Sequence, residues 1–320
     1  MGKRRSPRHG SMQFWPRKRA KRAYPRIRKY ASSTENKIAG FAGYKVGMTH
    51  ILIKSTRPNS MTLGESIFRP VTIIECPPLK VASIRFYKRT DYGLKVINQI
   101  LSKNLDKNLK RKMIMPKKET KQKEPENYDD IRLLVYTQPS LTSIGKKKPE
   151  IFEIAVGGTK EQQLAYAREK LGKEIMATEI LKPGKLVDVH AVTKGKGLQG
   201  VIKRFGVSLK AHKSEKKKRS VGNLGPWIQS AMWRVPQAGQ MGYHTRTDYN
   251  KLIIKVSDKP DEINPKSGFK HYGLVKNSYI LLKGNAHGPA KRLIRLNNAI
   301  KPHKRKHSEI FEIEYINIQK

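Results

Sequence analysis

Short apolar runs cut by glycine and proline dominate both flanks of this chain. IAGFAGYKVGMTHILIK from Ile38, VTIIECPP from Val71 and VASIRFYKR from Val81 are rich in β-branched and aromatic residues, which predicts strands. The same texture returns late as KLVDVHAV, KLIIKVS, YGLVKNSYILLKG, KRLIRL and EIFEIEYINI. In the last run Phe311, Ile313 and Tyr315 alternate with Glu312 and Glu314, giving one dry and one wet face. Many short strands without a strand-to-helix alternation favour a closed barrel over a doubly wound sheet. The expected class is mainly β, with residues 36–90 supplying the first part of the barrel and 182–193 and 251–320 the remainder.

The middle of the chain reads differently, and residues 91–181 are expected to form an inserted α+β lobe. Tyr92 to Lys112 is a candidate helix, followed by the low-complexity tract PKKETKQKEPENYDD. One helix is well signalled. Thr159 and Gln162 have capping-box spacing, Leu164, Ala167 and Leu171 share a face, and Gly172 sits where a C-terminal cap belongs. GGTK at Gly157 lacks the second half of a P-loop and reads as a turn before the Thr159 cap.

Charge changes the picture at two places. The chain of 320 residues has 68 Lys+Arg against 25 Asp+Glu, a formal net charge of +43. Residues 1–35 hold twelve of those cations and no acid before Glu35, with Pro7, Pro16 and Pro25 recurring, so they predict a long, extended basic arm. Aromatics interleave with its arginines and offer stacking surface. Residues 194–250 form a second such region, an extended loop rich in glycine and cations that is expected not to pack a core without a polyanion. A nucleic acid suits both, because each phosphate neutralised releases condensed counterions. A membrane does not: there is no span of about 18 apolar residues and no unbroken basic amphipathic helix. The N-terminus lacks the apolar run of a signal peptide. The lone Cys76 excludes a disulfide framework and is expected to be a small buried hydrophobe.

Candidate chemistry is sparse. Gly195, Gly197 and Gly200 spell G-x-G-x-x-G after a predicted strand, yet the following helix stops at Gly206 and KSEKKKRSVGN stands where a ribose-binding acid belongs. What survives is weaker: glycines admit a phosphate close to the backbone, and Lys194, Lys196, Lys203 and Arg204 bracket it. His303 and His307 have a metal-compatible spacing, but every position between them is cationic. His190 is placed on the wet face of its strand. No nucleophile, base or acid pair stands out, so neither an enzyme nor a cofactor is expected. Trp227 follows a Gly-Pro in a polycationic loop and reads as a stacking plate near a loop tip, whereas Trp233 is a candidate for packing the loop base.

LKPGKLVDVHAVTKGKGLQGVIKR, from Leu181 to Arg204, with GFAGYKVGMTH, GNLGPW, VPQAGQMGYHTRT and the arm segment GSMQFWPRKRAKR, resembles the universal large-subunit ribosomal protein family L-three. The long inserted lobe is similar to its archaeal and eukaryotic branch. That resemblance implies a Greek-key barrel of the translation-protein type. It also implies a ribosomal, cytoplasmic setting, a role early in subunit assembly, and rRNA and neighbouring ribosomal proteins as partners, with no small-molecule substrate. It further implies a loop directed toward the peptidyl transferase centre, with Trp227 near its apex and histidine or glutamine methylation in some members, for which His212 and Gln240 are the candidates. The expected RNA-binding set is Lys3, Arg4, Arg5, Arg8, Trp15, Arg17, Lys18, Arg19, Lys21 and Arg22 on the arm. On the loop it is Lys194, Lys196, Lys203, Arg204, Lys216, Lys217, Lys218, Arg219, Trp227, Arg234, Gln240, His244 and Arg246, with Gly195, Gly197 and Gly200 as phosphate-approach glycines. A chromatin-type architectural protein and an RNA-modifying enzyme are the alternatives from other classes.

Overall fold

The structure, a computed structural model, describes residues 10–56, 60–116, 124–214, 217–225, 235–302 and 311–318. The chain divides into two compact units, Met1–Arg22 with Val192–Thr245, and Ala23–Ala191 with Arg246–Lys320. The second and larger unit is mainly β. Its strands and helices in chain order are β1 (Gly40–Lys54), β2 (Ser66–Glu75), β3 (Leu79–Thr90), β4 (Gly93–Leu101), β5 (Asp130–Tyr136), β6 (Ile151–Ala155), α1 (Lys160–Lys170), β7 (Glu174–Ile175), α2 (Ala177–Ile180) and β8 (Leu186–Val192). After the excursion into the smaller unit, which holds β9 (Leu198–Gln199), α3 (Val201–Phe205) and β10 (Gly239–Gln240), come β11 (Thr245–Ser257), β12 (Tyr279–Lys283), β13 (Leu293–Asn298) and β14 (Glu312–Ile316). Among the described residues no helix is long and apolar enough to cross a membrane.

One sheet runs β13-β8-β11-β12-β2-β1-β14, and β1 also pairs with β13, so hydrogen-bonded neighbours close a circuit of six strands with β14 outside it. The fifteen residues of β1 make this possible. Gly40–Tyr44 pair with β13, Tyr44–Lys54 with β2, and Ile51–Lys54 with β14. Gly40 and Gly43 lie where strands press together: a Cβ on Gly40 would stand 2.3 Å from the Leu296 carbonyl oxygen and one on Gly43 2.6 Å from that of Glu75. The second sheet runs β4-β3-β5-β6 with β7 on β3, and it begins at Leu79, ahead of the composition change at Asp91. Phe41, Tyr44, Ile73, Ile74, Phe86 and Tyr279 are buried in one continuous core that includes both sheets. Each such side chain contributes about 1.5–3 kcal/mol through burial.

Three buried ionisable side chains tie loops to this core. Glu75, fully buried, accepts the backbone N–H of Lys276 at 2.9 Å and of Asn277 at 3.0 Å, the Asn277 amide at 2.7 Å, and the Tyr272 hydroxyl. It thereby shapes the turn that enters β12. Asp188 accepts from Asn250 N at 2.9 Å and Ile300 N at 3.0 Å, holding Asn250 at its left-handed φ of +56°. Arg295, 2% exposed, donates to the carbonyls of Glu153 at 2.6 Å and Pro25 at 3.4 Å and to the Tyr30 hydroxyl at 2.9 Å, and lies 4.3 Å from the Phe152 ring centroid. Burial lowers its pKa from the ordinary guanidinium range.

Several expectations hold and three are corrected. α1 starts at the Thr159 cap, whose N–H donates to Gln162 Oε1 at 3.1 Å, and Gly172 follows it at φ +76°. Cys76 is fully buried, and burial raises its thiol pKa. The candidate helix at Tyr92–Lys112 is instead β4, followed by a short 3-10 turn at Lys107–Arg111. Pairing of β4 along β3 across a turn at Asp91–Tyr92 outweighs the local pattern. His190 is not on a wet face. It is half-buried with Nδ1 2.9 Å from Thr247 Oγ1, and burial, reinforced by Arg295, pushes its pKa down to about 4. Finally, a register shift between Leu52 and Ile53 breaks the alternation of β14, so Tyr315 sits opposite Leu52 and is 51% exposed.

Candidate nucleic-acid interface

The smaller unit has nine Lys+Arg in residues 1–22 and eleven in 192–245, against one acid, Glu215. Its base is a two-stranded antiparallel ribbon. Thr193 N donates to His244 O at 2.9 Å, Lys196 N to Met241 O at 3.0 Å, and Met241 N to Gly197 O at 2.9 Å, with β9 and β10 continuing the pairing. Gly242 allows the ribbon to close, because at φ +70° a Cβ there would lie 2.1 Å from the Lys194 carbonyl oxygen. Lys194 and Lys196 therefore have their backbones fixed inside the ribbon while both residues stay exposed.

α3 caps this ribbon with a one-sided apolar pair, Val201 and Phe205, both buried. Gly206, left-handed at φ +71°, ends it and donates to Ile202 O at 2.7 Å. Phe205 is the hub of the unit. Trp15 packs on it with ring centroids 5.8 Å apart, and the guanidinium carbons of Arg17 and Arg204 lie 4.1 and 5.0 Å from its centroid. Further contacts hold the arm at Arg17 to Ala20: Ala20 N to Tyr243 O at 2.8 Å, Arg17 Nη1 to Arg204 O at 2.6 Å, and Arg19 over the Tyr243 ring at 5.3 Å. His244 is buried, and its Nδ1 is 2.8 Å from Lys18 O. A carbonyl only accepts, so Nδ1 carries the proton. The expectation that nothing in this stretch packs without a polyanion is thus corrected at the base, where Phe205 gathers Trp15, Arg17 and Arg204, and Arg204 in turn reaches the returning limb.

Side chains expected on RNA fall into three groups. Lys18, Arg19, Lys21, Arg22, Lys194, Lys196, Lys203, Lys217, Lys218 and Arg219 are exposed. Arg17 and Arg204 turn inward. Arg204 Nη1 donates to Gln237 O at 2.7 Å and Nε to Gln240 O at 3.1 Å, with burial lowering its pKa, so its guanidinium braces the returning limb. The Gln240 amide likewise donates within the loop, to Met241 O at 3.1 Å and Gly242 O at 2.9 Å. Arg246, half-buried, belongs to the larger unit. Lys3, Arg4, Arg5, Arg8, Lys216, Trp227 and Arg234 lie outside the described residues, as do Trp233, His303 and His307.

The glycine trio is informative in a different way. Gly197 has φ +67°, a conformation that itself asks for glycine. Gly195 and Gly200 have no such backbone, and a Cβ would make ordinary contact with Tyr243 at 3.7 Å at the first and meet open space at the second. Among the described residues nothing requires glycine at either position, which leaves bare backbone among exposed lysines.

A profile of the family described as Ribosomal protein L3 matches residues 1–319. The chain belongs to the ribosomal protein L3 family. Large ribosomal subunit protein uL3 of Archaeoglobus fulgidus is 49% identical over 307 residues, covering 93% of each chain. The protein of that name from Methanobrevibacter smithii is 48% identical over 323 residues, 97% of this chain and 96% of its own. That of Methanocaldococcus jannaschii is 47% identical over 307 residues, 92% of each. Sequence reading of this L3-family chain missed Phe205, Tyr243 and Gly10 as organisers. The available signal was the four-residue spacing of Val201 and Phe205 on a short helix ended by glycine, which marks an apolar face in an otherwise polar stretch.

Proposed function

We propose that this chain is held on large-subunit rRNA by the exposed cations of its smaller unit, with Lys194 and Lys196 as fixed contacts at the loop base. Membership of the L3 family makes it a structural constituent of the large ribosomal subunit and not an enzyme. The observation that carries the RNA reading is the imbalance of twenty Lys+Arg against one acid in one compact unit. Such a unit has almost no internal counterion, and a phosphate polymer supplies one at the spacing of its own backbone. Gly195 and Gly200 give that backbone room to approach.

Finer features belong to the same proposal. The closed circuit of six strands supports a Greek-key barrel of the translation-protein type. The arm, inserted lobe and extended loop are read as the division given by composition, with Trp227 bracing RNA near the peptidyl transferase centre. Early assembly, neighbouring ribosomal proteins and a cytoplasmic ribosome complete the reading.

The test is a salt titration of binding to large-subunit rRNA fragments, with duplex DNA of equal length alongside. Lys194→Ala with Lys196→Ala is expected to lower the slope of log affinity against log salt by about 1.4–1.8, from roughly 0.7–0.9 per phosphate contact. An unchanged slope would remove these lysines from the interface. Equal preference for duplex DNA would favour the architectural alternative.

A further inference from the structure

The end of the first sheet is unlike the rest of the molecule in both polarity and charge. By register, Phe68, Leu52 and Tyr315 form one row across β2, β1 and β14, and Ser66, Lys54 and Glu312 form the next. This is the outward face, since Ile51 and Ile53 on the alternate positions of β1 are buried. Phe68 is 57% exposed with its ring centroid 4.1 Å from that of His50. Glu312 and Glu314 are exposed, and Glu314 accepts a hydrogen bond from the Ser66 hydroxyl. Neither glutamate has an ion-pair partner among the described residues, although the chain has 68 cations. Lys54 is the one Lys or Arg in these rows, and Glu65, just before β2, is exposed as well.

β14 is also an edge. It terminates the strand order, pairing with β1 on one side only among the described residues. An edge strand offers a row of unpaired backbone donors and acceptors to another chain. The structure assigns this edge, with its apolar row, as a docking site for an extended, Lys/Arg-rich segment of a neighbouring ribosomal protein. The segment would add as a strand beside β14, with cations on Glu312 and Glu314 and apolar side chains against Tyr315 and Phe68. Charge decides between partner classes. Among the described residues these rows carry Glu312 and Glu314 against the single cation Lys54, a local excess of negative charge that disfavours phosphate and favours a cationic polypeptide. Exposed aromatic rings beside a polar rim are the usual composition of a protein interface. The inference rests on the chain's place in the large subunit and adds a partner surface to it.

A benzophenone side chain in place of Tyr315, photolysed in assembled large subunits, tests it. The expected product is a crosslink to a Lys/Arg-rich peptide of another ribosomal protein. Its yield is expected to fall about tenfold when Glu312→Gln and Glu314→Gln are combined. A second benzophenone at Lys196, in otherwise identical subunits, reports on the rRNA contact and separates failure of the two readings. Crosslinking from position 315 to rRNA, to a second copy of this chain, to the chain's own residues 303–310 or to an uncharged peptide would overturn the proposal. So would the absence of a crosslink, or a yield that the double variant leaves unchanged.

Discussion

Replacing Arg204 distinguishes a brace from a phosphate contact. Its guanidinium makes two hydrogen bonds to carbonyls of the returning limb, at 2.7 and 3.1 Å, and flanks the buried Phe205 ring. Hydrogen bonds to charged groups contribute about 1.5–3 kcal/mol each, and the partial exposure of Arg204 places the pair at about 2–3 kcal/mol in total. If that energy holds the ribbon closed, Arg204→Ala raises the open population roughly 30- to 150-fold. Hydrogen exchange on the free protein reads this directly, because the Lys196 and Met241 amides bond across the ribbon at 3.0 and 2.9 Å. Both are expected to lose protection by that factor. Arg204→Lys, with a single point donor in place of the fork, is expected to fall between. The salt slope of rRNA binding should stay as in the parent protein. Unchanged protection together with a slope reduced by about 0.7–0.9 would refute the brace and return Arg204 to the phosphate backbone.

Two further substitutions test the docking of the arm and the burial of His190. At Gly10, φ is +84° and a Cβ would lie 2.6 Å from Phe205 Cδ1 and 2.9 Å from Arg17 Nη2. Gly10→Ala is therefore expected to release the arm and speed tryptic cleavage at Arg17 and Lys18 by at least about tenfold, the left-handed backbone alone costing about 1–2 kcal/mol; equal cleavage rates would contradict the docking. His190, with its pKa pushed down to about 4, stays neutral when folded but takes up a proton near pH 6.5 when unfolded. Stability of the larger unit is therefore expected to fall as pH drops from about 6.5 toward 4 and then to level off for this group, by up to about 2 kcal/mol once partial exposure is allowed for. His190→Gln should flatten that part of the curve in denaturant titrations, and identical curves would show that burial of the ring is not linked to pH.

Strands were legible because their signal is local. β-branched runs bounded by Gly and Pro mark β1, β2, β3, β8, β11, β12, β13 and β14, and the Thr159 to Gly172 helix carries its own start and stop. β4 was not legible. Leu94, Val96 and Ile97 are exposed, so no dry face betrays a strand, and its existence depends on pairing with β3. Tyr315 was misplaced because a one-residue register shift inverts faces, and nothing in EIFEIEYINI announces it. In the candidate interface, composition pointed to the exposed lysines. It could not separate them from Arg17 and Arg204, since an inward guanidinium depends on carbonyls more than thirty residues away in sequence. The ring that gathers the arm, Phe205, follows directly on the cationic run and was hidden by it.

Arg295 joins the two ends of the larger unit's chain history. Its partners Pro25, Tyr30 and Glu153 lie 270, 265 and 142 residues earlier in the sequence. During synthesis, the stretch around Tyr24 and Ile27 emerges long before the residue that anchors it. Completion of this core thus waits on the synthesis of Arg295, and until then the segment around Tyr24 and Ile27 remains accessible to whatever receives nascent chains.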